Sequence, residues 1–149
     1  QALDLVGRKL PTGTGRLARR FFHPVADYIE QASEKPEMAE FVLPLAKAFA
    51  KLQQATAWVA QAGLANPNEA GAAATDYQRL FALVALGYMW CRMVEVALAK
   101  KDEDSDGFYA AKIMTARFYF ARLLPESNSL FTTLMAGSDS LMAMPAEAF

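Results

Sequence analysis

The chain has 149 residues, of which 54% are apolar and 11% aromatic, and its formal net charge is −1. That length suits one domain with its own core, the apolar content excludes a disordered chain, and the near-neutral balance leaves no electrostatic footprint for nucleic acid. The single cysteine, Cys91, excludes an intrachain disulfide and a cysteine-based zinc site and favours a reducing, cytoplasmic setting.

Gln1–Leu10 predicts a helix through Leu3, Leu5, Val6 and Leu10. Neither an initiator Met nor a capping residue precedes it, so the opening is expected to be a cut inside a longer polypeptide. Pro11-Thr12-Gly13-Thr14-Gly15 breaks this helix, and Thr12 or Thr14 is expected to cap the next. The second helix carries Leu17, Phe21, Val25, Tyr28 and Ala32 at spacings of three and four, with Arg16, Arg19 and Arg20 off that stripe and Pro24 predicting a kink. A third helix is expected from Pro36 to about Gln61, with Phe41, Leu45, Ala48, Leu52, Ala55 and Val59 inward, a kink at Pro44 and a left-handed cap at Gly63.

Asn66-Pro67-Asn68-Glu69 is a helix start in which Asn66 caps, Pro67 takes the first helical position and Glu69 reaches back to the cap. The fourth helix then runs to about Lys101 with apolar residues on most sides, which predicts a central position in a bundle. Its longest apolar stretch, Leu80–Cys91, is shorter than the roughly 20 residues of a membrane span and is closed by Arg92 and Glu95. Lys100–Gly107 is a polar turn, Phe108–Leu124 a fifth helix stopped by Pro125, and Ser127–Met135 a short helix ended by Gly137. The tail from Leu141 to Phe149 is apolar enough to be expected to pack on this domain or on a partner. The pattern is all-α: an up-and-down bundle of four to five helices with a short C-terminal helix and an apolar tail.

Chemistry-bearing residues are sparse. His23 lacks the Glu three residues before it that a bundle metal site uses, since position 20 is Arg. Cys91 lies among Tyr88, Trp90 and Met93 and is expected to be a buried, inert thiol. The Pro11–Gly15 turn could bind an anion at the following helix, but it lacks the Lys-Ser/Thr ending of a phosphate loop and no strand precedes it. Arg16, Arg19, Arg20 and His23 form a basic strip that is expected to be a solvated face or to meet another domain, with contact to a substrate phosphate as the other possibility. Asp102, Glu103, Asp104 and Asp106 imitate a calcium loop with Gly107 at the sixth position, but Ile113 stands where the last carboxylate belongs. No residue is assigned a catalytic, cofactor-binding or metal-binding role.

Two segments resemble a known family. Gln1-Ala2-Leu3-Asp4-Leu5-Val6-Gly7-Arg8-Lys9-Leu10 resembles the stretch just after the catalytic glutamate motif of acyl-CoA dehydrogenases, where a Tyr-Glu-Gly-Thr type motif is closely followed by Ile-Gln and Gln1 would be that glutamine. Phe108-Tyr109-Ala110-Ala111-Lys112, Ala121-Arg122-Leu123-Leu124-Pro125 and Gly137-Ser138-Asp139-Ser140-Leu141-Met142 resemble the extra C-terminal domain of a bacterial-type subgroup that acts on long-chain or sulfur-containing acyl-CoA thioesters. The resemblance implies that residues 1–10 end the last helix of a catalytic domain and residues 11–149 form a C-terminal helical bundle. It implies that the full enzyme oxidises the α,β carbons of a thioester with FAD, that the base lies upstream of Gln1, and that this segment holds no FAD itself. The implied partners are the upstream catalytic domain and further copies in a homo-oligomer, with no membrane span. The alternative is a stand-alone bundle module that holds an apolar ligand among Trp58, Phe81, Trp90 and Phe120, or binds a protein partner.

Overall fold

The computed structural model describes residues 1–148. The order is α1 (Ala2–Asp4), continued by a π-helical turn over Leu5–Lys9, then α2 (Arg16–Ser33), α3 (Ala39–Ala65), α4 (Pro67–Lys100), α5 (Phe108–Phe118), continued by a second π-helical turn over Tyr119–Leu123, α6 (Glu126–Leu134) and α7 (Asp139–Met142). A 3-10 turn, Pro36–Met38, leads into α3. Both α2 and α3 continue unbroken through their internal prolines, Pro24 and Pro44.

The α4 helix is the axis. It is antiparallel to α3, with close approaches at Gly63 and Ala70, at Thr56 and Tyr77, and at Leu45 and Gly87. It is parallel to α2, whose Phe21 and Tyr28 meet Phe81 and Tyr88, and Lys35, two residues past the end of α2, continues the seven-residue step to Glu95. The α5–α6 path returns along α4 in the opposite sense. Tyr119 donates its hydroxyl to the Leu83 carbonyl at 2.6 Å, Glu126 pairs with Arg79 at 2.8 Å, and Ser138 reaches Glu69. The result is an all-α, up-and-down bundle of four rods, as the periodicity predicts. By length and mean hydropathy α4 could cross a membrane. Its buried residues, among them Tyr77, Leu80, Val84, Cys91 and Val94, instead form the shared core with Phe41, Leu45 and Leu52 of α3 and Val25 of α2.

Local expectations fail in three places. Neither Thr12 nor Thr14 caps α2: Gly13, Thr14 and Gly15 all have positive φ, Gly15 takes the cap position, and the Thr12 hydroxyl donates back to Arg8 O at 2.5 Å. Gly63 does not end α3 in a left-handed turn, since the helix continues to Ala65 and turns at an extended Asn66. A Cβ at Gly63 would lie 2.9 Å from the Ala70 Cβ, so this glycine permits close helix approach rather than an unusual φ. Asn66 does cap α4, accepting from Asn68 N at 3.1 Å, but Glu69 turns across to the C-terminal segment: from the cap it accepts only the Asn66 side-chain amide, at 3.5 Å, while the Asn66 backbone N–H donates to Ala62 O.

Candidate functional site

A cleft of about 590 Å³ lies at one pole of the bundle. Leu3, Val6, Gly7 and Leu10 face Val59, Gly63 and Leu64 of α3 and Pro67, Ala70 and Gly71 of α4 across it. Small residues on both helices let the backbones stand close, and the lining carries no charged side chain. Val6 and Leu10 are buried in the common core, whereas Leu3 and Leu64, at 66% and 90% exposure, stand apolar in solvent. Such a wall can take apolar side chains or an alkyl chain but offers nothing to activate a bond.

The basic strip keeps its predicted place. Arg16, Arg19, Arg20 and His23 are all exposed on α2. The Arg19 guanidinium donates to Thr14 O at 2.5 Å, which ties it to the turn before α2. The aromatics of the alternative reading do not form one cluster: Phe81 packs with Phe21, Phe22 and Tyr77, whereas Trp90 and Phe120 both meet Tyr119, Phe120 packing on Phe41 as well. None of the four lines the cleft.

Cys91 is fully buried. Burial, reinforced by the Glu95 carboxylate, pushes its thiol up to about 12, so it lacks thiolate character at neutral pH. In the acidic turn Asp104 accepts from the amides of Tyr109 and Ala110 at 3.1 and 2.9 Å, and Asp106 accepts from Phe108 N at 3.3 Å. These carboxylates satisfy the first amides of α5 at its positive end. Among the described residues no group of three His, Cys, Asp or Glu side chains could hold a metal ion.

Two features lay outside the sequence reading. One is a latch: Glu69 accepts from Ser138 N at 3.0 Å and from Ser138 Oγ at 2.5 Å, packed against Gly137, whose φ is +75°. A Cβ at Gly137 would lie 2.8 Å from Glu69 Oε2, so the glycine is needed for the close approach as well as for the φ. The other is a groove of about 470 Å³ near the far end of α4, lined by Met89, Arg92, Met93, Val96, Phe108 and Lys112 among others. The apolar tail is not taken into the core: residues 139–148 are exposed throughout, with Leu141, Met142 and Met144 between 56% and 67%, and Phe149 lies outside the described residues.

Over residues 21–145 the chain matches the family model described as acetyl-CoA dehydrogenase C-terminal like. The chain belongs to this family. The search of curated proteins finds no match. The FAD implied by the dehydrogenase resemblance does not fit the residues here. The cleft has no charged or amide-rich wall to meet a dinucleotide's diphosphate, and the arginines of the strip stand in solvent on α2. As a dehydrogenase C-terminal domain, the bundle has a catalytic domain as its natural partner.

Proposed function

We propose that this bundle is the accessory docking domain of an FAD-dependent acyl-CoA dehydrogenase, with the catalytic base, the flavin and the thioester pocket on a preceding catalytic domain. The single observation that carries this reading is the family match over residues 21–145, and it is joined by a cleft whose lining is mostly apolar and carries no charged side chain. Residues 1–10 then end the last catalytic-domain helix and residues 11–149 form the added bundle. A match that starts at residue 21, beyond the turn at Pro11–Gly15, supports that division. The cleft, with Leu3 and Leu64 exposed at its mouth, is where the catalytic helices would rest. Fatty-acid or related thioester oxidation in the cytoplasm, within a homo-oligomer, completes the proposal.

The test is dye reduction. The chain alone, supplied with FAD and acyl-CoA thioesters of several chain lengths, should neither retain flavin nor reduce an electron-accepting dye. The longer polypeptide carrying the flavin domain should do both. Thioester-dependent dye reduction by this chain alone would overturn the assignment. A second reading rests on the cleft's volume, which lies within the range of small-molecule sites. Saturable, one-to-one binding of a fatty acid that Gly71→Trp abolishes would favour it.

A further inference from the structure

The groove at the far end of α4 has an apolar floor and a rim that carries Arg92, Lys112 and Glu95, and the Glu95 carboxylate is already paired with Lys35, which leaves the two cations to face an incoming partner. Met89, Met93, Val96 and Phe108 are exposed by 37–54%, although they neighbour one another. The Arg92 guanidinium lies 5.6 Å from the Tyr88 ring centroid and the Lys112 ammonium 5.0 Å from that of Phe108. Neither cation has a carboxylate within salt-bridge distance among the described residues. The tail has the complementary character: Leu141, Met142 and Met144 exposed between Asp139 and Glu147, two carboxylates that are likewise without a cation.

The tail cannot reach the groove of its own chain. Glu69 holds Ser138 near the start of α4, and Met93 lies 24 residues farther along that helix, or about 36 Å at ~1.5 Å per residue. Leu141 to Met144, three to six residues past the latch, extend at most about 20 Å even fully stretched. The apolar cleft beside the latch is within reach, but it has no charged lining to meet Asp139 or Glu147. Charge and reach together leave the groove of another copy as the matching receptor.

We infer that the tail of one copy, residues 139–148, docks in the α4–α5 groove of a second copy, with Leu141, Met142 and Met144 on the Met89–Met93–Val96–Phe108 floor and Asp139 and Glu147 facing Arg92 and Lys112. A two-fold pair then buries two such sites, each copy giving a tail and receiving one. The exchange is independent of the catalytic assignment, since it uses no residue of the cleft.

Light scattering and sedimentation velocity on the purified chain test this. The unaltered chain should be a dimer. Met93→Asp, which spoils the groove, and deletion of residues 139–149, which removes the tail, should each weaken dimerisation at least tenfold while far-UV circular dichroism stays unchanged, because the altered side chains are exposed. Mixing the groove-spoiled chain with the tail-deleted chain should restore a heterodimer through the one intact tail–groove pair. Arg92→Glu with Lys112→Glu should weaken association, and adding Asp139→Lys with Glu147→Lys should recover it. A monomeric unaltered chain, a dimer indifferent to both lesions, or a mixture that fails to associate would overturn the proposal.

Discussion

Gly63 and Gly71 lie eight residues apart on adjoining helices, yet alanine should act on them with opposite sign. Both lie within helical backbone, where alanine gains about 1 kcal/mol over glycine. At Gly71 a Cβ would meet nothing within 4 Å, so that gain is unopposed. At Gly63 it would lie 2.9 Å from the Ala70 Cβ, against ordinary carbon contacts of about 3.5–4.0 Å. The α3–α4 crossing must therefore open by roughly 0.6–1 Å, and overpacking of that kind costs ~1–3 kcal/mol. Gly63→Ala should be neutral to about 2 kcal/mol destabilising, and Gly71→Ala about 1 kcal/mol stabilising, in urea unfolding followed by far-UV circular dichroism. The Ala70→Gly background removes the collision, and in it Gly63→Ala should become stabilising, a coupling a double-mutant cycle isolates. If Gly63→Ala stabilises as much as Gly71→Ala in the unaltered background, the close approach does not limit the hairpin and the reasoning fails.

Three other outcomes are expected. Burial pushes the Cys91 thiol from 9.0 to about 12 and the Tyr77 and Tyr119 phenols from 10.0 to about 12. The unfolded chain therefore loses these protons first, and stability should be full below pH ~9 and decline steadily towards pH ~12. Urea midpoints across that window check this, with Tyr77→Phe flattening the decline; a level profile would contradict it. Asp104→Ala removes two bonds to α5 amides and should cost about 1–2 kcal/mol, measured as a lower urea midpoint, whereas Asp102→Ala nearby should be silent. Glu69→Ala frees Ser138, so hydrogen exchange at the Ser138 amide should accelerate more than tenfold while amides at Leu80 and Val84 stay protected.

What could be read in advance follows the range of the interaction. Asn66-Pro67 starts α4 as expected because the Asn66 side-chain Oδ1 and the Asn68 backbone N–H lie two residues apart. Of the stripe Tyr77, Phe81, Val84, Tyr88, Cys91, Val94 and Leu98 that helical periodicity places on one side, Tyr77, Val84, Cys91 and Val94 are buried and the other three half-buried. Gly63 misleads because a missing Cβ serves either a positive φ or a close neighbour, and only the position of Ala70 decides between them. Glu69 misleads for the same reason: a capping partner lies three residues back, but Ser138, 69 residues on, offers both an amide and a hydroxyl. The aromatics Phe81, Trp90 and Phe120 cannot be grouped from the chain, since helix rotation brings Trp90 and Phe120 to Tyr119 but turns Phe81 to Phe21, Phe22 and Tyr77. The cleft's signal was present as the small residues Gly7, Gly63, Ala70 and Gly71, but spacing alone does not say that they face one another.

The latch at Ser138 and the seating of α1 on α4 place both ends of the helical path at the same pole, beside Pro67–Gly71. The opposite pole carries the exposed link between Lys101 and Asp106. An insertion between Lys101 and Asp102 therefore leaves every rod with its neighbours and Asp104 still attached to α5. New cargo belongs at that loop, well away from the face on which a catalytic domain would sit.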